Sequence, residues 1–322
     1  MPFPRRLALL ALAAGLAAGA HAQDAKFPSK PIHIVVIVAP GGSGDAVARM
    51  LGEGLGQRLG QPVVVENKPG AGGNLAAQTV ARAPADGHTL LLTANNHTIN
   101  TALFPNPGYG VEDFVPISGL MEGPSVIAVP ASSKYRTLAE LLADARRAPG
   151  QVAFGSAGIG TPSHIAGELL QRAAGVQFTH VAYRGSGPSI ADAVGGQLPV
   201  VIATLVAAMP QVESGKLRAL AVTSNKRWPS APEVPAASES GLPAYEHMTW
   251  LGLFAPKGTP REVVARLSTE VQAVLAQTSL KERIAKLGGS VVQQDQPSFV
   301  AAVQKDLQVS TRLVRESNLK AE

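Results

Sequence analysis

Two stretches of this chain place glycines and small hydroxyls where a strand gives way to a helix. The first, Gly41-Gly42-Ser43-Gly44-Asp45, follows the apolar run Ile34–Ala39. The second, Gly155-Ser156-Ala157-Gly158-Ile159-Gly160-Thr161, follows Val152-Ala-Phe154 and leads into Pro162-Ser-His164. The chemistry open to such a set is anion binding. Glycines let a ligand approach the backbone, and unpaired N–H groups at a helix start, with the positive end of its dipole, attract negative charge. No Gly-Lys-Ser/Thr follows either stretch, so neither is a phosphate loop of that kind. Asp45 argues against a highly charged ligand and is expected to cap its own helix, a device worth about 1 kcal/mol. That leaves the loop amides for a weakly charged group such as one carboxylate. A tight connection that binds nothing explains either stretch equally well by itself. The pair, one in each half of the chain, is what two lobes closing on an anion would need.

Further candidates lie where strands end, because in open α/β sheets the loops at the carboxyl ends of strands form the binding crevice. Thr93, Asn95, Asn96 and His97 follow the apolar segment His88–Thr93, and Thr204 follows Leu198–Ala203. Plain turn chemistry is the alternative for each of them. Arg184, in the glycine-rich bend Tyr183–Pro188, is a cation that could meet a ligand carboxylate or serve in a salt bridge. A catalytic set is not found: there is no Gly-x-Ser-x-Gly and no His-Glu-x-x-His. Ser163 and His164 are adjacent, and adjacent helical residues diverge. His33, His88, His180 and His247 have no ligand spacing and read as strand-end or surface residues. No enzyme activity, cofactor or metal is expected.

The elements that must position these residues alternate, strand then helix, for most of the chain. This is the pattern of an α/β protein with mainly parallel sheets. Val47, Met50, Leu51, Leu55 and Leu59 give the first helix its buried face, although Gly52, Gly54 and Gly56 inside it cost about 1 kcal/mol each relative to alanine. Close packing against a neighbour is the expected compensation. Thr161 reads as an N-cap, Pro162 as the first helical residue and Asn74 as the cap of another helix. Pro124–Pro130 and Thr249–Ala255, alike in length and apolarity, are read as two strands crossing between lobes. The long stretch Asn225–His247 either packs down or connects the lobes. The end of the chain is helical.

Composition narrows the class. Hydrophobic residues make up 45% and charged ones 16% of the 322, which excludes a disordered chain and allows two domains of ordinary size. The first residues read as a signal peptide, with Arg5-Arg6, an apolar run Leu7–Ala18 and the small-x-small pattern Ala20-His-Ala22, so cleavage after Ala22 and export to the periplasm are expected. Removing Arg5 and Arg6 from 28 basic residues leaves 26 against 23 acidic ones. With that balance, few aromatics and no basic cluster, nucleic acid is not an expected partner. The absence of cysteine excludes both a disulfide and a lipid on a cysteine.

Several motifs in this order resemble the periplasmic solute receptors of tripartite tricarboxylate transporters, the Bug proteins. They are Ala39-Pro-Gly-Gly-Ser-Gly-Asp45 with Arg49, Val65-Glu-Asn-Lys-Pro-Gly-Ala-Gly-Gly73, Ala85-Asp-Gly-His-Thr-Leu90, Phe154–Gly160 with His164, Tyr183-Arg-Gly185, Ser214–Val222 and Trp250-Leu-Gly-Leu-Phe-Ala-Pro256. The resemblance implies a two-lobed periplasmic binding protein of type II that closes on a small organic acid and hands it to integral-membrane permease subunits, as a monomer. It also implies that Gly42, Ser43, Asp45, Ser156, Gly158 and Thr161 hold one ligand carboxylate, without an ion pair, and that His164 supports the second loop. The lobes are read as residues 23–125 with 250–322, and 126–249, after a signal peptide of 1–22. In many relatives a Met-Phe-Asp-like stretch follows the strand at 198–203, where this chain has Val201-Ile-Ala-Thr204. A group suited to a ligand amino function is thus missing. A sensor presenting its closed form to a membrane signalling protein is the alternative role.

Overall fold

The computed structural model describes residues 27–41 and 43–316. The expected signal peptide and cleavage site, and Gly42 of the first loop, lie outside the described residues. In chain order the first elements are β1 (Ile32–Val36), α1 (Ser43–Leu59), β2 (Val63–Asn67), α2 (Asn74–Ala81), β3 (Thr89–Ala94) and α3 (Asn96–Leu103). Then follow β4 (Phe114–Pro130), α4 (Leu138–Arg147), β5 (Ala153–Ser156), α5 (Pro162–Ala174), β6 (Thr179–Ala182) and α6 (Ser186–Val194). The remainder is β7 (Val200–Thr204), α7 (Leu205–Glu213), β8 (Leu217–Val222), β9 (Met248–Pro256), α8 (Arg261–Leu275), α9 (Thr278–Lys286), β10 (Ser290–Val291) and α10 (Gln296–Glu316).

The strands run in the order β2-β1-β3-β9-β4-β7-β5-β6, with β8 and β10 also on β4. Wherever strand and helix alternate, the pairing is parallel: β1 with β2 and β3, and β5 with β6 and β7. Around the 17-residue β4 it is antiparallel. The residues of β4 up to Pro124 pair with β9, and those from Ser125 onward pair with β7 and β8, so one strand belongs to two sheets. That is the physical basis of two lobes. β9 lies beside β4 and begins at the boundary, where Met248 faces Pro124.

Each sheet is buried on both faces, which explains why its strands read as continuous apolar runs. In the first lobe Ile32, Ile34, Val36, Leu90, Leu92 and Leu253 face α1 and α8, while Val35, Leu91 and Phe254 face α2 and α10. In the second, Ile127, Val129, Val200 and Ile202 face α4 and α5. Val126, Ala128, Val201 and Ala203 face α6 and α7. The period-2 alternation therefore separates two layers of helices rather than core from water. The stretch Asn225–His247 packs down. Ala231, Val234 and Tyr245 are buried on the second lobe, and Trp228 Nε1 donates to Gly288 O, on the first, at 2.8 Å.

The glycines of α1 are where its neighbours come closest. A Cβ on Gly54 would stand 2.6 Å from Val274 Cγ1 of α8, and one on Gly52 3.2 Å from Val63 Cγ1 of β2. Gly56 has only ordinary contact, 3.4 Å to Gln61 O. Opposite outcomes follow within one helix. Gly54→Ala should destabilise the protein by roughly 1–3 kcal/mol through overpacking, whereas Gly56→Ala should stabilise it by roughly 0.5–1 kcal/mol. Urea unfolding of the two variants checks this.

Candidate functional site

The first loop joins a strand to a helix, as the sequence reading expects, but Asp45 is used differently. β1 ends at Val36, three residues short of the end of the apolar run, and α1 starts at Ser43. Asp45 is only 4% exposed, and among the described residues its carboxylate accepts from no amide of its own helix. Its carboxylate turns back and accepts from Gly41 N–H at 2.9 Å, from Arg49 Nε at 3.1 Å and Nη2 at 2.9 Å, and from Asn67 Nδ2 at 2.9 Å. Burial pushes this carboxyl up, but the bonds from Arg49, Gly41 and Asn67 outweigh it and hold the group below the usual range. The consequence corrects two expectations. Gly41 N–H is already taken, and Asp45 is the brace of the loop, saturated by four donor contacts. Gly44 is buried against Val38, where a Cβ would meet Cγ2 at 3.3 Å, so its smallness serves packing. Ser43 is half-buried at the first turn of α1.

The second loop is held by neutral side chains. Ser163 Oγ accepts from Ala157 N at 2.9 Å, Ser156 Oγ from Gly158 N at 3.1 Å, and His164 Nδ1 from Gly160 N at 3.2 Å. Thr161 occupies the N-cap position of α5 and Pro162 the first helical one, as expected, but the Thr161 hydroxyl donates to Gly158 O at 2.6 Å and makes no cap bond. Gly158, at φ +126°, would bring a Cβ within 2.8 Å of Tyr183 O, so only glycine fits. The residues whose role the sequence did not reveal are Ser163 and His180. His180 Nε2 lies 2.7 Å from Ser156 Oγ, and its ring stacks between His164 at 4.2 Å and Phe154 at 4.8 Å. The one available signal was its place on a strand parallel to the one ending in Ser156. Burial lowers the His164 imidazole to about 3, helped by His180, and lowers His180 to about 4. Both rings are therefore neutral near neutral pH, which lets His164 Nδ1 act as an acceptor.

The other candidates are distributed unevenly. Thr93 is buried at 1% exposure. Asn95 uses its whole amide structurally: Oδ1 accepts from Trp250 N at 2.9 Å, and Nδ2 donates to Met248 O and to Asp306 of α10. Asn95 thus braces the turn after β3. His97 sits among Tyr109, Phe114 and Phe254, lowered to about 3 by burial. His88 and His247 are buried just before β3 and β9, the strand-end alternative rather than the surface one. Arg184 is exposed, with no ion-pair partner among the described residues. Thr204 stands opposite Ser125 at the sheet boundary.

What this arrangement can do follows from the hydrogen bonds still unclaimed. The loop amides at 41, 157, 158 and 160 have internal acceptors, while the first-turn amides of α5 lack a side-chain cap. Helix starts of this kind bind anions. Among the described residues there is no group of three His, Cys, Asp or Glu that could hold a metal, and no helix long and apolar enough to cross a membrane.

Residues 47–319 match the model of the "Tripartite tricarboxylate transporter family receptor". The chain is 34% identical to protein BugT of Bordetella pertussis over 326 residues, 99% of each protein. Among solved structures it resembles R. palustris Rpa4515 with adipate, at 31% identity and TM-score 0.86, covering 91% of this chain and 99% of that one. It also resembles MatC of Rhodopseudomonas palustris with bound malate, at 34% identity and TM-score 0.82, covering 89% and 100%.

The buried histidines give a pH dependence whose sign is fixed. His97, His164, His180 and His247 titrate near 3 to 4 in the folded chain against 6.5 ordinarily. Below that ordinary value the unfolded chain takes up protons that the folded chain refuses. Stability is thus complete above about 6.5 and falls as the pH drops towards 4, each histidine contributing a slope of about 1.4 kcal/mol per pH unit. Urea midpoints measured from about pH 7 to about pH 5 should fall steeply, and His180→Gln should flatten the slope by about one proton. A flat profile would contradict the buried neutral rings.

Proposed function

The chain belongs to the tripartite tricarboxylate transporter receptor family, and we propose that it is a periplasmic receptor that closes two lobes on a small organic carboxylate and delivers it to membrane permease subunits. The family is one of receptors, not enzymes. The observation that carries the ligand class is the pair of glycine loops ahead of α1 and α5, each fixed internally and neither offering a free cation. Such loops suit one negative charge spread over two oxygens, held by amides and dipoles. Gly42 and Ser43 in the first loop, and in the second the first-turn amides of α5 shaped by Ser156, Gly158 and Thr161, are the candidate carboxylate contacts. Asp45 and His164 brace them. The relatives with adipate and malate support a ligand with two carboxylates. So does Val201-Ile-Ala-Thr204, which supplies no acidic group for an amino function. Exposed Arg184 is the candidate for the distal end.

In this reading the lobes are residues 23–125 with 250–322, and 126–249, the mature chain starts at Gln23, and it acts as a monomer. Closure is a population shift, and the ligand favours the closed form only by the contacts it makes there.

Calorimetric titration of the mature chain with malate, adipate, tricarboxylates, aromatic acids and amino acids tests this. At least one acid should bind, amino acids should bind more weakly, and Gly42→Val should reduce affinity by more than about tenfold, or about 1.4 kcal/mol. Tight binding confined to amino acids would overturn the ligand class.

A further inference from the structure

The loop Gly70–Gly73, between β2 and α2, takes no part in the reading above. Its four residues all have positive φ, at 131°, 48°, 63° and 98°. Ala71 carries a side chain in a region that disfavours one. Such a loop keeps its shape where neighbours hold it, and two asparagines of α3 do so. Asn96 Nδ2 and Asn100 Nδ2 both donate to Gly72 O, and Asn100 Nδ2 also donates to Asn74 Oδ1 at 2.7 Å. Asn74 is therefore not the helix cap its position suggested; its side chain makes this bond, and Gly73 takes the cap position. Asn96 and Asn100 are four residues apart and share one helix face.

The orientation of the Asn100 amide is determined by its partners. Its nitrogen faces two acceptors, so its oxygen points away from them. That oxygen is buried without a donor, as is Asn96 Oδ1. Asn100 Oδ1 meets the second lobe. It lies 2.4 Å from where a Cβ on Gly160 would stand, and Leu103 and Phe104 lie 3.3 Å from the same point. Across the contact, Ile159 O is 3.3 Å from the Cβ position of Gly72. Both glycines have positive φ, which disfavours a side chain; Gly160 has no room for one, and at Gly72 one would press on its neighbours. On the same helix, Ile99 packs with Ile165 of α5 and Leu313 of α10.

We propose that Asn96 and Asn100 are positioning residues that hold Gly70–Gly73 as the surface on the first lobe which receives Ile159–Gly160 of the second when the lobes close. This rests on the lobe closure of the preceding subsection, not on the nature of the ligand. The loop adjoins the first glycine loop as well, because Gly73 packs against Ile37. It thus touches the second glycine loop directly and the segment leading from β1 into the first. Opening would hydrate Asn100 Oδ1, a cost of closure at one atom that is outweighed because the same amide makes the two bonds that hold the receiving loop.

Because the chain has no cysteine, Leu75→Cys on α2 and Gln197→Cys after α6, both exposed, can carry spin labels specifically. Distance distributions are measured for the mature chain alone and with millimolar malate or adipate. The parent should show a short-distance population in at least one condition. Asn96→Ala with Asn100→Ala should lower its closed-to-open ratio about tenfold, and Gly160→Ala should remove it, with circular dichroism unchanged. If Gly160→Ala does not fold, the asparagine variant alone decides. An unaltered population in the variants, or a parent that never shows it, overturns the proposal. A parent indifferent to both acids whose short population still falls in the variants supports the contact while counting against the carboxylate reading.

Discussion

Every backbone N–H buried at the two glycine loops needs an acceptor, and the choice of acceptors determines what the loops can bind. Here the acceptors are one saturated carboxylate, Asp45, and three neutral side chains, Ser163, Ser156 and His164. Had the second loop been braced by a carboxylate or by a protonated imidazole, it would carry a charge of its own. A neutral brace leaves the helix starts as the source of positive potential. Burial of the histidines extends this acceptor role to acid: it keeps the His164 lone pair that receives Gly160 N–H at pH values where an exposed imidazole would be protonated.

The scaffold makes that brace possible by placing both loops at the carboxyl ends of parallel strands, β1 and β5, on either side of the shared β4. Where the chain passes between the sheets, Thr223 ties the crossing segments together. Its Oγ1 accepts from Ser125 N at 2.8 Å and donates to His247 O at 2.6 Å. On the first lobe, Asp306 of α10 accepts from Asn95 and from Thr98, and burial raises its carboxyl despite those bonds. The turn after β3, the start of β9 and the last helix are therefore tied together.

Much of the fold was legible because strands buried on both faces and helices with glycine-rich starts leave strong local patterns. Ile34–Val36 and Thr161-Pro162 are examples. Long-range partners left none. Nothing around Asp45 signals that its carboxylate would be met by Asn67, 22 residues on, instead of its own helix amides. His180 looked like an isolated strand residue because its partners, Ser156 and His164, come from a neighbouring strand and the helix after it. Asn74 looked like a cap until Asn100 supplied a better donor. The sequence locates glycine loops well. It is silent on which side chains complete them.

The most direct test of the central claim is a two-dimensional amide NMR titration of the mature chain with whichever acid binds. If a carboxylate is held by neutral helix starts, the largest shifts should fall on the amides of Ser43, Gly44, Ser163 and His164, at the start of α1 and α5. Shifts centred on Arg184 and α6, with both helix starts unmoved, would mean that the charge is held by an ion pair elsewhere and would contradict the account.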